Sequence, residues 1–393
     1  MGAPSAERRI AHPPPVAHRF DVSVFAATHF FPRHSYDDDD VAGSIRKAVG
    51  RRGWQFLPET VAGARDAIAD AELDVLVYPE VGLDYFAYQL AFARLAPVQC
   101  VYWGHPISQR IPALDYFLTS DLYEPGAAAA AAHVRPGRHQ TSLGVRYDEQ
   151  PVLLEGLTTS FPRPSAGKEG AVTDAPGGGA SATRRLEARR ALGVEADAVV
   201  YVCAQTLLKF NPAFDAPLKR ILAAHPKSRL LVTWTPNQAV ARATLERRWR
   251  DSLGPALEAR VVWRRSMDHG AFLSALEACD VALDPYPFGG GVTSLELFAV
   301  GLPVVTAPPE QTVVGLAGGM YRAMAAGMGD VSAAECCVAD GLDGYVARAV
   351  RLGSDAAWRE KVGAAVQRAR GALYDAPGVA DELGRFFERA AGV

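Results

Sequence analysis

A three-residue apolar strand, Val281-Ala-Leu283, runs through Asp284-Pro-Tyr-Pro-Phe288 into three consecutive glycines, Gly289 to Gly291. Val292-Thr-Ser-Leu-Glu296 then opens an apolar helix, and Pro303-Val-Val-Thr306 reads as a second strand. The unit is βαβ, which commits this part of the chain to parallel sheet, because two parallel strands need a crossover between them. Glycines at a strand-to-helix turn allow positive φ and a close approach of ligand to backbone. The helix start offers unpaired N–H groups at the positive end of the helix dipole. Together these features predict a phosphate site. The competing reading is a βα loop without a ligand, against which stands the unfolded-state entropy that three glycines add. Glu296 falls about one turn inside the helix, in reach of a ribose.

The same alternation runs along the rest of the chain. Strands are expected at Phe20–Phe25, Gly53–Leu57, Leu73–Tyr78, Val98–Trp103 and Asp115–Thr119, with helices over 41–51, 60–71 and 85–95 between them. A second series begins at Val199–Cys203 and continues through helix 215–224, strand 229–233, helix 239–253, strand 260–263 and helix 269–278. Helices near 342–352, 355–370 and 378–391 close the chain. Short apolar strands separated by helices indicate an α/β protein with parallel sheets buried on both faces. The expected organisation is a disordered segment over 1–19, a Rossmann-like domain over 20–163, a Gly/Ser/Pro-rich linker or insertion over 164–183, a second Rossmann-like domain over 184–376 and a C-terminal helix over 377–393. Residues 127–132 form an alanine run that reads as helix. Ligands of such sheets sit at the carboxyl ends of the strands.

Composition narrows the partners. A net charge of −3 gives no electrostatic case for nucleic acid. No apolar run reaches the roughly 18 residues of a membrane span, and residues 1–19 lack the apolar core of a secretory signal. The chain is therefore expected in the cytoplasm, with a transit peptide left open by Arg8, Arg9 and Arg19. The five cysteines, Cys100, Cys203, Cys279, Cys336 and Cys337, are odd in number and include no CxxC. Buried free thiols fit them better than disulfides or zinc.

Three further motifs carry possible chemistry. Gln205-Thr206-Leu-Leu-Lys209 follows the strand Val199–Cys203, where Lys209 either meets a diphosphate leaving group or is a surface lysine before the helix start Asn211-Pro212. His105 follows Val98–Trp103 and Gly104, as an acid, a base or a substrate ligand, or as a loop histidine satisfied by backbone. The run Asp37 to Asp40 reads as carboxylates favouring the positive end of a helix rather than as a metal site.

These residues also carry a resemblance. Pro97-Val-Gln-x-x-x-Trp-Gly104, Asp115-Tyr-Phe117, Gln205-x-x-x-Lys209, Asp284-x-x-x-Phe-Gly-Gly-Gly-x-Thr-Ser-Leu-Glu296 and Gly301-Leu-Pro-Val-Val-Thr306 occur in the order seen in the SPINDLY/protein O-GlcNAc transferase family. The resemblance covers about Leu73 to the C-terminus, outside the Gly-rich insertion. It implies a GT-B fold of two Rossmann-like domains, and inverting, metal-independent transfer from a UDP-sugar, typically UDP-GlcNAc, to a protein Ser or Thr. UDP-sugar is then a co-substrate, a protein is the acceptor, and no cofactor is needed.

By position, Lys209 matches the family's diphosphate-binding lysine. Gly291, Val292 and Thr293 match its phosphate-cradling helix start, and Glu296 its ribose acid. Arg260 to Phe272 matches the segment lining the uracil pocket. The implied UDP-sugar contacts are Gln205, Thr206, Lys209, His269, Phe272, Gly290, Gly291, Val292, Thr293, Ser294 and Glu296, with Lys209 and His105 as the catalytic candidates. Leu208, Gly291 and His269 replace a tyrosine, a histidine and a lysine of the animal enzymes. The family's opening βα unit and its tetratricopeptide repeats have no counterpart here. A non-catalytic UDP-sugar-binding or scaffold protein, and a GT-B sugar epimerase, stand as alternatives.

Overall fold

The computed structural model describes residues 20–28, 39–124, 139–140, 146–164, 182–308, 314–376 and 378–392. The expected linker and the alanine run lie largely or wholly outside them. By contact density the chain divides into two compact units. One holds the residues up to His105, Gln109–Tyr116 and the end of the chain from Ala380; the other holds Pro106–Ser108 and Phe117–Val379.

In the first unit, β1 (Val24–Ala26) pairs in parallel with β2 (Trp54–Phe56), joined by α1 (Asp40–Val49). Asp39, inside the acidic run, caps α1 by accepting the Ala42 N–H at 2.7 Å, the role expected of an acid there. After α2 (Val61–Ala69), capped by Thr60, β3 (Val75–Tyr78) pairs in parallel with β4 (Val98–Tyr102) across α3 (Tyr85–Leu90). The helix expected to reach Leu95 stops at Leu90. Buried Gln99 explains this, since it accepts the Leu95 N–H at 2.7 Å and donates to Ala93 O at 3.1 Å, satisfying a turn in place of a further helical turn. The chain end belongs to this unit too, where Phe386 packs edge-on against Tyr116 and Phe387 against Phe20.

β5 (Tyr116–Ser120) and β6 (Gln150–Leu154) follow, and then α4 (Ala182–Leu192) opens the main sheet of the second unit. That sheet comprises β7 (Val199–Cys203), β8 (Ser228–Trp234), β9 (Val261–Arg265), β10 (Val281–Leu283) and β11 (Val304–Val305). It is wholly parallel, in the order β9-β8-β7-β10-β11. The crossover helices are α5 (Asp215–Ala224), α6 (Ala239–Ser252), α7 (His269–Glu277) and α8 (Val292–Ala299). β7 and β10 are buried along their whole length, which is why both read as unbroken apolar runs. The unit closes with α9 (Leu316–Met324), α10 (Leu342–Ser354) and α11 (Ala356–Ala369), and α12 (Gly378–Ala391) ends the chain. All five cysteines are free and buried.

α9 was not expected, because Gly318 and Gly319 at its centre weaken helix propensity. Its packing accounts for one of them: a Cβ on Gly319 would stand 2.3 Å from the Tyr123 ring.

At the amino end of this sheet, buried Asp280 accepts the Val200 N–H at 2.7 Å and pairs with Arg185 at 2.5 Å, Arg189 at 2.7 Å and Arg359 at 3.3 Å. It ties α4, β7 and α11 to the start of β10. Asp280→Ala would leave the buried Arg189 charge uncompensated, at an expected cost of about 3–5 kcal/mol, read from the midpoint shift in urea unfolding.

Candidate functional site

The strand order of the main sheet reverses between β7 and β10. The chain leaves β7 towards β8 and β9 on one side and β10 towards β11 on the other, so the loops after these two strands diverge. The sequence motifs fall on those two loops. Gln205 to Lys209 follows β7, and Asp284 to Gly291 follows β10.

The two loops meet through Lys209. Its Nζ donates to Gly289 O at 2.8 Å and to Gln205 Oε1 at 2.9 Å, and it lies 4.7 Å from the centre of the Phe288 ring. Burial lowers the pKa of this lysine, while Asp284 opposes the shift. An ammonium can donate three hydrogen bonds, so one N–H remains for a ligand. The backbone beneath it is fixed from the other side: Arg248 donates to Phe210 O at 2.7 Å while gripping Asp215.

The glycine turn is held by Asp284, to which the sequence motifs assign no role. Its Oδ1 accepts the Gly290 N–H at 2.7 Å, its Oδ2 accepts the Thr306 hydroxyl at 2.8 Å, and its backbone carbonyl accepts from Tyr345 at 2.9 Å. The signal available was an acid directly after a buried strand.

The glycines serve a different purpose from the one expected. None of Gly289, Gly290 and Gly291 takes positive φ. Close packing demands two of them instead. A Cβ on Gly289 would lie 2.5 Å from Asp284 Oδ2, and one on Gly290 would lie 2.4 Å from Gln205 Nε2 and 2.8 Å from Ser294 Oγ. The Gly290 N–H is turned inward to Asp284, and Ser294 N donates to Gly291 O at 3.0 Å. The first-turn N–H groups left for an anion are therefore those of Gly291, Val292 and Thr293.

Glu296 projects from the second turn of α8. Helical side chains tilt back towards the N-terminus, which directs its carboxyl to the start of α8. Oε1 meets His269 Nε2 at 3.1 Å, and the carboxylate is largely buried. Burial raises its pKa and His269 opposes the rise. His269 is the first residue of α7, whose Asp268 cap accepts the Ala271 N–H at 2.9 Å. Phe272 is half-buried on the same helix.

Other predicted members lie at the margin. Thr206 is exposed and its hydroxyl accepts from Gln238 at 2.5 Å. Ser294 is buried beneath the turn, its Oγ without a hydrogen-bond partner among the described residues. Arg260 is spent on the Leu222 and His225 carbonyls. His105 belongs to the other unit, where it packs against Gly82; a Cβ there would stand 2.4 Å from the imidazole, and the glycine φ is +91°. Burial lowers the His105 pKa. Among the described residues no cluster of His, Cys, Asp and Glu could hold a metal ion, and no helix is long and apolar enough to cross a membrane.

Residues 165–381, more than half of the chain, match the model of glycosyl transferase family 41. A UDP-glucose:protein N-beta-glucosyltransferase of Actinobacillus pleuropneumoniae serotype 7 is 22% identical over 279 residues, covering 71% of this chain and 38% of that protein. A probable UDP-N-acetylglucosamine--peptide N-acetylglucosaminyltransferase SPINDLY of Hordeum vulgare is 26% identical over 218 residues, covering 54% of this chain and 19% of that protein. The chain thus spans well under half the length of these relatives. Among solved structures, a mutant O-GlcNAc transferase of Thermobaculum terrenum superposes with a TM-score of 0.69 at 22% identity, over 94% of this chain and 62% of that one. HepE of Anabaena, in complex with UDP and glucose, gives 0.54 at 11% identity over 89% and 90%. The fold is GT-B.

Burial pushes Asp284 up from 3.8 to about 6, against its bonds from Gly290 and Thr306. The native chain then holds this proton more tightly than the unfolded chain, so the contribution of Asp284 to stability falls as pH rises from 3.8 to about 6. Relative to an Asp284→Asn variant, the wild type should weaken by about 3 kcal/mol across that window and stay level above it, as measured by urea unfolding at a series of pH values.

Proposed function

Since the chain belongs to glycosyl transferase family 41, we propose that it is a glycosyltransferase moving a sugar from a UDP-sugar to a protein side chain. The observation that carries the reading is the convergence of the Lys209 ammonium with the helix start at Gly291, Val292 and Thr293, where the loops after β7 and β10 meet. The sugar is N-acetylglucosamine and the acceptor a Ser or Thr hydroxyl. The SPINDLY relative and the O-GlcNAc transferase of the same fold support that choice. Glucose transfer to a protein nitrogen is a second reading, favoured by the Actinobacillus relative.

In the proposed reaction the acceptor oxygen bonds to the anomeric carbon on the face opposite the leaving group. The anomeric C–O bond to the diphosphate breaks, and UDP leaves with the electron pair. The difficult part is charge on that diphosphate. The free N–H of Lys209 and the N–H groups of Gly291 to Thr293 meet it as it develops, a preorganised arrangement that favours the transition state over the ground state. The reading calls on no metal ion. Gln205 orients Lys209, and Glu296 takes the ribose. His105 is the proposed base for the acceptor proton. Its lowered pKa keeps the imidazole neutral at pH 7, ready to accept.

Lys209→Ala should lower kcat by about 100-fold or more while leaving UDP binding measurable, in assays run in parallel with labelled UDP-GlcNAc and UDP-glucose and a mixed peptide acceptor. A variant with undiminished transfer and donor hydrolysis would overturn the assignment. UDP binding by the wild type with no transfer to any acceptor would favour the non-catalytic alternative, and a new UDP-sugar formed without acceptor would favour an epimerase.

The acid limb of the pH–rate profile should lie below the ordinary histidine value of 6.5, because burial lowers the His105 pKa. His105→Gln should remove that limb together with most of the rate. A profile unchanged in this variant would discard His105 as base.

A further inference from the structure

We propose that His269 is a positioning residue for donor recognition: it holds one oxygen of the Glu296 carboxylate and thereby aims the other at a ribose hydroxyl. The inference rests on the reading of this site as one for a uridine diphosphate donor. It concerns how recognition is divided between two side chains, one of which touches the nucleotide only through the other.

The geometry supplies three arguments. First, the two carboxylate oxygens are in different situations. Oε1 is 3.1 Å from His269 Nε2, whereas Oε2 has no protein partner among the described residues. A carboxylate can accept at both oxygens, and the ribose supplies hydroxyl donors. Second, the pair is asymmetric in exposure. The Glu296 side chain is 16% exposed and that of His269 52%. An acid already largely withdrawn from water loses much of its hydration before any ligand arrives, so the partner that remains governs where it points. Third, both residues stand on defined backbone. His269 begins α7 directly after the Asp268 cap, and Glu296 lies in α8 with its Cα–Cβ bond tilted towards the phosphate end. A contact spanning 27 residues of sequence, from the start of α7 to the second turn of α8, fixes the angle between a recognition group and the phosphate loop.

The bland alternative is a surface ion pair. Such pairs contribute about 0–1 kcal/mol to stability and are indifferent to the ligand. The distinction is therefore testable by deleting the ligand's own hydroxyls rather than only the protein's groups.

The experiment is calorimetric titration of the full chain with UDP and with 2′,3′-dideoxy-UDP, for the wild type and for His269→Ala, His269→Gln and Glu296→Ala. The wild type should prefer UDP over the dideoxy analogue by about tenfold or more, the range of a hydrogen bond to a charged group. Glu296→Ala should abolish the preference. His269→Ala should reduce it to about threefold or less, with a cooperative urea unfolding transition like that of the wild type showing that the fold is intact. His269→Gln, able to donate to the same oxygen, should restore most of it. A His269→Ala variant that keeps the full wild-type preference overturns the proposal and leaves the donor site standing. A wild type that does not bind UDP, or whose preference survives Glu296→Ala, overturns the donor-site reading and this inference with it.

Discussion

Strand β10 is three residues long, and a buried aspartate stands at each end of it. Asp280 binds the Val200 N–H and a set of guanidinium groups, and Asp284 binds the Gly290 N–H and the Thr306 hydroxyl. A strand this short contributes few ladder bonds, so its end residues decide where it sits. Each carboxylate carries a desolvation cost that only its full complement of partners offsets. At the Asp280 end those partners are charged and the pair acts as a structural tie. At the Asp284 end the hydrogen-bond donors are neutral, and burial raises the carboxyl pKa to about 6 in spite of them. The same strand therefore has one end optimised for anchoring and one end carrying residual cost, and the costly end is the one beside the glycine turn. Local cost of this kind is what a site tends to retain when its shape matters more than its stability.

The turn itself divides labour among backbone N–H groups. Gly290 spends its N–H on Asp284, which fixes the loop, and the next three residues have no intrahelical acceptor for theirs. Lys209 adds a whole charge where the helix start adds only about half of one. Its hold on Gly289 O and Gln205 keeps that charge in place without neutralising it, since both acceptors are uncharged. Preorganisation comes from neutral partners, and the charge remains available.

Much of this was legible in the sequence because buried parallel strands must be apolar throughout and loops at their carboxyl ends carry unusual residues. The helix Asp215–Ala224, the Thr60 cap and the Asn211-Pro212 helix start were all readable from local chemistry. Four things were not. The purpose of the glycines is not legible, because a glycine needed for positive φ and one needed for close packing look identical in one dimension. The helix Leu316–Met324 is not legible locally, since Gly319 at its centre answers to Tyr123, distant in sequence. The His269–Glu296 contact joins the start of one helix to the second turn of another, 27 residues apart, and no local spacing encodes that. Asp284 was visible as a letter in a motif, but its grip on the turn emerges only once Gly290 folds back over it.

The burial of every thiol bears on how this molecule can be observed. The reactive form of cysteine is the thiolate. Burial pushes Cys100 up to about 12 and also raises Cys203, Cys279 and Cys337. Chemically the native chain is thus close to a blank slate for thiol reagents. Leu208, beside Lys209, is 84% exposed. A cysteine introduced there would be the only exposed thiol in the chain, and a fluorophore or spin label attached to it would report on the lysine loop alone, with no background to subtract.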